Sequence, residues 1–444
     1  LFNFAIERSQ LTGLVLDKVG GSAAAFDYLY LPHMHRAGYV APDFGQIQTS
    51  IVSPGGYVMN SKPGLYNHVL VLDFKSLYPS IIRTFSVDPV AHWVWQNGPQ
   101  QGLDQSGDHD QAVGPVEGFD GASFDASSAV LPALLKRLSQ AREQAKADNN
   151  QPLSLAIKII MNSFYGVLGS PGCRFFDPRL ASSITRRGHQ IIQTTTQWIE
   201  ALGYDVIYGD TDSVFVYLKD DQLSNEQVLE IGNQLQSVLN VQWSDYLQET
   251  MGIKSFLELE FETHFTRFLM PRIRGSEEGS KKRYAGINSS NKLIVKGMES
   301  VRSDWSKFAG SLQNKLFVKL FNGEPIDDLL RDAVAAITEG RVDDQLIYRV
   351  RLRRPVESFV KSTPPHIKAL RDAQKQDPSV AIELGDSIEY LMTTKGPQLV
   401  THQLAPIDYQ HYLDRQIAPV AEPVLDCLNR QFEDFLPIQQ SRLF

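Results

Sequence analysis

The sequence predicts an α+β fold built on an antiparallel sheet, and three stretches carry that prediction. Val69-Leu70-Val71-Leu72 is an unbroken apolar run ending in Asp73, the pattern of a buried strand with an acid at its C-terminal end. From Val206 to Tyr217, apolar and β-branched residues flank Gly209-Asp210-Thr211-Asp212, which reads as strand, tight turn, strand. Leu257-Glu258-Leu259-Glu260-Phe261-Glu262 alternates with period two and reads as a further strand. Helical patterns lie between and after these strands.

In chain order, residues up to about 60 mix short apolar helical patterns with loops, and Pro54-Gly55-Gly56 is a turn signal. His33 and His35 have no Cys or carboxylate cluster at ligand spacing and read as packing or surface residues. After the strand ending at Asp73, the chain turns and begins a helix near Pro79. Residues 96–128 are rich in Gln, Gly, Asp and Ser and read as a loop or a poorly ordered insertion. A helix from Leu131 to Asp148, a break at Asn149-Asn150-Gln151-Pro152 and a second helix from Leu153 to Tyr165, stopping at Gly166, make an antiparallel helical hairpin. Helices are predicted over 180–202 and 223–250, a strand begins at Lys281-Lys282-Arg283-Tyr284, and the chain is mainly helical after Val301.

The 444 residues suggest two or three domains at about 150 residues each. No apolar run is long enough to span a bilayer, so no membrane partner is expected. Leu1 rather than Met opens the chain, which implies a cut or processed N-terminus. Cys173 and Cys427 lie far apart and form no zinc or iron–sulfur pattern, so a reducing cytoplasm is the expected setting. The formal net charge of -8 argues against a polyanionic partner, but its distribution does not. Cations gather between Arg267 and Arg302 and again between Arg349 and Arg371, as solvated faces or as a nucleic-acid footprint.

Asp210 and Asp212 sit together at a hairpin tip, and two adjacent carboxylates repel. A hard cation with oxygen preference, Mg²⁺ first, removes that penalty; an acidic surface turn is the alternative. Asp73 at the end of a separate strand would let carboxylates from two elements meet at one sheet edge. Such a set holds two Mg²⁺ ions roughly 4 Å apart, with Mn²⁺ as a substitute, and suits in-line phosphoryl displacement. Lys158, Asn162 and Tyr165 share one helix face, and Arg142 and Lys146 lie one turn apart on the partner helix. These cations fit a triphosphate clamp, with Lys158 able to protonate departing pyrophosphate, or else form two solvated basic faces. Lys281-Lys282-Arg283-Tyr284 sets basic and aromatic side chains on a strand, for nucleic-acid backbone contact or as a polybasic patch.

These stretches resemble the ordered motifs of family B DNA polymerases. Asp73-Phe74-Lys75-Ser76-Leu77-Tyr78-Pro79-Ser80-Ile81-Ile82 resembles motif A, Lys158-Ile159-Ile160-Met161-Asn162-Ser163-Phe164-Tyr165-Gly166 motif B, and Tyr208-Gly209-Asp210-Thr211-Asp212-Ser213 motif C. The Lys-Lys-Arg-Tyr stretch and Lys296-Gly297-Met298-Glu299 follow in the family's order, and Cys173–Ser183 is similar to bacterial members. The resemblance covers nearly the whole chain and is weakest over 96–128.

The resemblance implies a right-hand architecture. A connecting segment (1–65) would lead into an antiparallel-sheet palm (66–130 and 169–300), with helical-hairpin fingers (131–168) and a mainly helical thumb ending in a tail (301–444). It implies DNA-directed DNA synthesis from deoxynucleoside triphosphates on primer–template DNA, in repair or replication restart, in a cytoplasmic, nucleoid-associated protein. Asp73, Asp212 and the Phe74 carbonyl would ligate the metals, and Asp210 would support them. Tyr78 would exclude a 2′-hydroxyl. Ser76, Leu77, Arg142, Lys146 and Lys158 would bind the nucleotide, with Asn162 and Tyr165 at the nascent base pair. Thr211, Lys281, Lys282, Arg283 and Tyr284 would hold the DNA.

The tail Gln440-Ser441-Arg442-Leu443-Phe444 resembles the bacterial sliding-clamp pattern, with Gln440, Leu443 and Phe444 as anchors, although Ser441 stands where Leu is usual. A frayed tail is the alternative. No exonuclease carboxylate set precedes Asp73, so no 3′–5′ exonuclease activity is expected of this chain. Two rivals remain. A glycosyltransferase would share the Asp-X-Asp site but leaves the Asp73 strand and the Lys158 helix unexplained; a non-catalytic DNA- or clamp-binding scaffold leaves the intact carboxylates unexplained.

Overall fold

The computed structural model describes residues 2–18, 20–45, 50–98 and 114–436. The chain divides into two compact units. One comprises the residues up to Met59 with Leu70–Lys219 and Glu226–Thr263; the other comprises Asn60–Val69, Asp220–Asn225 and the chain from His264 onward.

The first unit opens with helices α1 (Phe2–Thr12) and α2 (Ser22–Arg36). Phe26 on α2 is fully buried, stacked on Tyr30 and edge-on to Phe164, with ring centroids 5.1 and 5.0 Å away. Strand β1 (Gly64–Phe74) follows, with Val69–Leu72 buried as the apolar run predicts. Burying each of these side chains contributes about 1.5–3 kcal/mol. Helix α3 (Leu77–Thr84) starts two residues before Pro79. Pro79 still lies in the first turn, where no backbone N–H is required of it. Helix α4 (Pro89–Asn97) is capped by Asp88, whose carboxylate accepts from Ala91 N at 2.9 Å.

The reading of 96–128 as an unstructured loop is corrected over its described part. Strands β2 (Pro115–Glu117) and β3 (Ser123–Asp125) pair as a small hairpin. Each strand buries a single apolar residue, Val116 or Phe124, too little for a periodic signal in the sequence. Helices α5 (Leu131–Ala147) and α6 (Gln151–Leu168) form the expected helical hairpin, with the Asn150 side chain capping α6 through Leu153 N at 3.1 Å. Gly166 does not end α6. A glycine there costs about 1 kcal/mol, and burial of Val167 and Leu168 in the next turn outweighs it.

Helix α7 (Pro178–Ala201) leads into β4 (Asp205–Asp210) and β5 (Ser213–Tyr217). Helix α8 (Asn225–Met251) is tied to α7 by a bond from Trp243 Nε1 to Thr195 Oγ1 at 3.0 Å. Strand β6 spans Leu259–Met270, longer than the predicted 257–262. A register shift at Phe265/Arg267 breaks its period-two pattern, while Thr266 Oγ1 donates to Ile287 O at 3.0 Å and the Arg267 guanidinium to Asn67 Oδ1 at 2.6 Å. Within the first unit the strands run β4-β5-β1-β6.

Within the second unit the order is β6-β7-β8, with β7 (Tyr284–Asn288) and β8 (Leu293–Lys296) antiparallel and Tyr284 opposite Lys296. Helices α9 (Lys307–Asn322) and α10 (Asp327–Thr338) follow. The part after Val301 also holds a three-stranded antiparallel sheet, which the helical expectation missed. It is made of β9 (Tyr348–Arg351), β10 (Ser387–Thr393) and β11 (Gly396–Leu399), with β10 in the centre and α11 (Pro365–Gln376) between β9 and β10 in the chain. Helices α12 (Tyr409–Tyr412) and α13 (Ala418–Cys427) complete this unit, whose core joins Phe317, Leu370, Ile388, Tyr412 and Val424.

Candidate active site

The β4–β5 hairpin carries Asp210, Thr211 and Asp212 at its tip, with Asp210 opposite Ser213. Thr211 takes a left-handed conformation at φ 57, and its hydroxyl donates to Asp210 Oδ1 at 3.0 Å. The tip is held from two sides. Thr211 N donates to Tyr57 O at 2.7 Å, and Phe74 N donates to Asp212 O at 2.7 Å. The second bond fastens the end of β1 to the hairpin and sets Asp73 beside Asp212.

Both carboxyls are only partly open to solvent. Burial, then Asp212, Glu262 and Glu260, push Asp73 up to about 7, while Lys158 pulls it down. Asp212 is also raised, chiefly by burial and also by Asp210 and Glu262, with its own backbone N–H and Lys158 opposing. Two half-buried carboxyls raised by burial and by neighbouring carboxylates are chemistry that a hard divalent cation relieves. Among the described residues no three His, Cys, Asp or Glu side chains close into a full metal cage. A two-carboxylate set fits Mg²⁺, which keeps waters and takes phosphate oxygens from its substrate. The Phe74 ring is buried at 1% exposure, so only its carbonyl is available to the site.

Two sets of neighbours were not assigned from the sequence. Glu260 and Glu262 shape this acidic field, and Lys75 Nζ reaches Glu260 at 3.5 Å and the neighbouring Glu258 at 3.4 Å. Their spacing of two residues, which signalled a strand, also places them on one face of it. The second set is Pro54-Gly55-Gly56, which read only as a turn. A Cβ on Gly56 would fall 2.6 Å from Thr211 Oγ1 and 3.1 Å from the Tyr78 hydroxyl. His189 Nε2 lies 2.8 Å from Gly55 O, and the Tyr165 hydroxyl donates to Pro54 O at 3.4 Å. The Tyr78 and Tyr165 ring centroids are 4.8 Å apart. Burial, Tyr165 and the two aspartates keep the Tyr78 phenol protonated by raising its pKa.

Arg142, Lys146 and Lys158 come together on the wall of one cavity of about 840 Å³. Lys146 also pairs with Glu143 at 2.9 Å on the exposed side of α5. Asn162 is exposed on the Lys158 face of α6, with Tyr165 half-buried beyond it. Ser76 is left-handed at φ 50, and the Leu77 side chain is buried, so Leu77 offers the site only backbone groups.

In the second unit the placement of Lys281–Tyr284 on a strand is corrected: only Tyr284 belongs to β7. Lys282 is left-handed at φ 60, and a Cβ on Gly297 would lie 2.0 Å from Lys282 O, so this turn packs backbone on backbone. Lys281 and Lys282 are exposed. Arg283 instead pairs with the buried Glu299, which accepts from Gln313 Nε2 at 2.8 Å. Tyr284 packs its ring 5.4 Å from Phe268. Gln440, Leu443 and Phe444 lie outside the described residues. No described helix is long and apolar enough to cross a membrane.

The model of the family described as DNA polymerase family B matches residues 17–428. The chain is 48% identical over 436 residues to "DNA polymerase II" of Escherichia coli strain K12, covering 97% of this chain and 54% of that protein. It is 26% identical to "DNA polymerase 2" of Aeropyrum pernix, covering 95% of this chain and 51% of that protein. The chain thus spans about half the length of these curated relatives. The solved family B DNA polymerase of Pyrobaculum calidifontis shares the fold, with a TM-score of 0.63 at 24% identity over 96% of this chain and 54% of that one.

Proposed function

The chain belongs to DNA polymerase family B, and from that membership we propose that it extends a DNA primer on a template. In this reading the primer 3′-hydroxyl attacks the α-phosphorus of a deoxynucleoside triphosphate. One P–O bond forms as the hydroxyl gives up its proton to solvent, the bond to the α–β bridging oxygen breaks, and pyrophosphate leaves. The observation that carries the proposal is the pairing of Asp73 with Asp212 through the Phe74 N–Asp212 O bond, in reach of the Lys158 charge.

Asp73, Asp212 and the Phe74 carbonyl would hold Mg²⁺, with Mn²⁺ as a substitute. The bound cations would lower the pKa of the attacking hydroxyl and offset charge on the leaving oxygen. Asp210 supports the tip by accepting the Thr211 hydroxyl. Arg142, Lys146 and Lys158, with backbone groups of Ser76 and Leu77, grip the triphosphate, and Lys158 supplies the proton that pyrophosphate takes. Tyr78, braced by Tyr165, sits under the sugar and excludes a 2′-hydroxyl, while Asn162 and Tyr165 bound the new base pair. Thr211, Lys281, Lys282 and Tyr284 contact the primer–template, and Arg283 acts as a strut through Glu299.

In this reading residues 66–130 and 169–300 serve as palm, 131–168 as fingers and 301–444 as thumb. The tail residues Gln440, Leu443 and Phe444 engage a sliding clamp, and the setting is repair or replication restart in a cytoplasmic, nucleoid-associated protein. Extension of a primed template with one deoxynucleotide at a time tests the reading. Incorporation that follows the template base supports it; template-independent incorporation, or none, overturns it.

A further inference from the structure

Residues 53–59 form a strap beside the hairpin tip that contributes no carboxylate to it. The strap runs against the edge strand β4. Met59 N donates to Gly209 O at 2.8 Å, Thr211 N donates to Tyr57 O at 2.7 Å, and Val58 stands antiparallel to Asp210. Side chains of α6 and α7 hold it as well. The Tyr165 hydroxyl donates to Pro54 O at 3.4 Å, Thr185 Oγ1 lies 3.3 Å from Ser53 Oγ, and His189 Nε2 lies 2.8 Å from Gly55 O. A carbonyl only accepts, so Nε2 carries the proton and donates. The His189 bond is the shortest of these three, and its ring also packs on Tyr57 with centroids 5.5 Å apart.

This bond falls on the part of the strap with no side chains to pack. Two consecutive glycines leave the backbone its widest freedom. A Cβ on Gly55 would meet nothing within 4 Å, so a hydrogen bond rather than packing fixes that residue. Gly56 is different, because its Cβ position is 2.6 Å from Thr211 Oγ1 and 3.1 Å from the Tyr78 hydroxyl. The strap therefore closes on the tip of the Tyr78 ring. Tyr165 bounds that ring at a centroid distance of 4.8 Å, and a Cβ on Gly188 of α7 would lie 3.5 Å from Tyr78 Cε1. His189 follows Gly188, so neighbouring residues of α7 back the Tyr78 ring and hold the strap over its hydroxyl.

We propose that His189 is a positioning residue for sugar selection: by holding the Gly55 carbonyl it keeps Gly56 closed on the Tyr78 hydroxyl. The proposal rests on the reading of Tyr78 as the gate against a 2′-hydroxyl. A ring excludes an added hydroxyl only while it is fixed, and a ring with open space at its tip can rotate and yield. Tyr165 and Gly188 limit the Tyr78 ring, and the strap limits its tip. His189 touches neither nucleotide nor metal in this account and acts through Gly55, Gly56 and Tyr78.

Two substitutions test it. His189→Leu keeps bulk against Tyr57 and removes the donor, whereas His189→Gln keeps an N–H of similar reach. The readout is the ratio of kcat/KM for a deoxynucleotide to that for the matching ribonucleotide in single-nucleotide primer extension. His189→Leu should lower this ratio about five- to tenfold, the equivalent of one hydrogen bond, and His189→Gln should restore most of it. His189→Asn, too short to reach Gly55 O, should match His189→Leu and guards against misfolding of the apolar variant. In a Tyr78→Ala background His189→Leu should change the ratio no further. An unchanged ratio in His189→Leu, a Gln variant no better than Leu, or the same loss repeated without Tyr78 overturns the proposal. So does a folded His189→Leu chain that extends with neither nucleotide, since the strap would then serve the chemistry rather than the choice of sugar. Amide hydrogen exchange reads the clamp without catalysis. The Met59 and Thr211 amides should exchange about fivefold or more faster in His189→Leu and not in His189→Gln; equal rates overturn it. A wild type that extends no primer sinks the polymerase reading, and exchange alone then decides whether His189 holds the strap.

Discussion

At Asp73, burial and the Asp212, Glu262 and Glu260 carboxylates all favour the protonated form, and the pKa rises to about 7 from 3.8. A carboxyl raised in the folded state costs stability as pH climbs. The unfolded chain ionises Asp73 first, near 3.8, and the folded chain follows only near 7. Asp73→Asn should therefore gain nothing in metal-free buffer below pH ~4, gain progressively up to pH ~7, and hold that gain above it. Thermal unfolding in chelator across this range checks the sign; a variant less stable than wild type at pH ~8 would contradict it. The same substitution should abolish primer extension. Two glycines give a second test at this scale. Gly56→Ala drives a methyl group to 2.6 Å from Thr211 Oγ1, whereas a Cβ on Gly55 meets nothing within 4 Å. Primer extension should fall on the order of a hundredfold for Gly56→Ala and stay near wild type for Gly55→Ala. Equal activities would remove the Pro54–Gly56 segment from the site. Tyr78→Ala should relax discrimination against ribonucleotides, measured as the ratio of kcat/KM values; an unchanged ratio would take Tyr78 out of the gate.

Among the elements, the helical hairpin was legible because its signals are local. The Leu131–Ala147 periodicity, the Asn150 cap and Pro152 lie within a few residues of the turns they make. The Asp73 strand and the Asp-Thr-Asp hairpin were legible for the same reason. What joins them was not, because the Phe74 N–Asp212 O bond links residues far apart in the chain through atoms that every residue carries. Strand β9 was misread for a different reason. Its sequence Tyr348-Arg349-Val350-Arg351 alternates as a strand should, but its arginines read as part of a basic zone. In the structure Arg349 pairs with Glu389 at 2.9 Å, and Arg351 Nε donates to Gly385 O at 2.7 Å. Asp88 shows what anchors the helical hairpin. Its buried carboxylate accepts from the Tyr30 hydroxyl at 2.9 Å, Ala91 N at 2.9 Å and Leu131 N at 2.7 Å, so one side chain ties α2, α4 and the start of α5. Asp88→Ala leaves three buried donors unmet and should destabilise the fold by about 3 kcal/mol or more. Urea unfolding measures this, and a loss below about 1 kcal/mol would show that the three bonds are replaced by water.

For the molecule as a whole, net charge hides local clusters of cations. The formal charge is -8, yet the first unit gathers Arg142, Lys146 and Lys158 on one cavity, and the second unit exposes Lys281 and Lys282. In the proposed reading, local fields of this kind make DNA affinity fall steeply with salt despite an acidic total. Removing both lysines by Lys281→Ala and Lys282→Ala should reduce the slope of log affinity against log salt by about 1–2. An unchanged slope would place the duplex elsewhere on the surface. The central claim is that Asp73 and Asp212 form one centre for nucleotide transfer. Single-turnover extension of a primed template in Mg²⁺, comparing wild type with Asp212→Asn, tests it most directly. The substitution keeps the Asp212 carbonyl that binds Phe74 N and removes only the charge. A rate lowered on the order of a thousandfold or more, with primer–template affinity unchanged, is the predicted result. Equal rates in the two proteins would contradict the assignment of the centre.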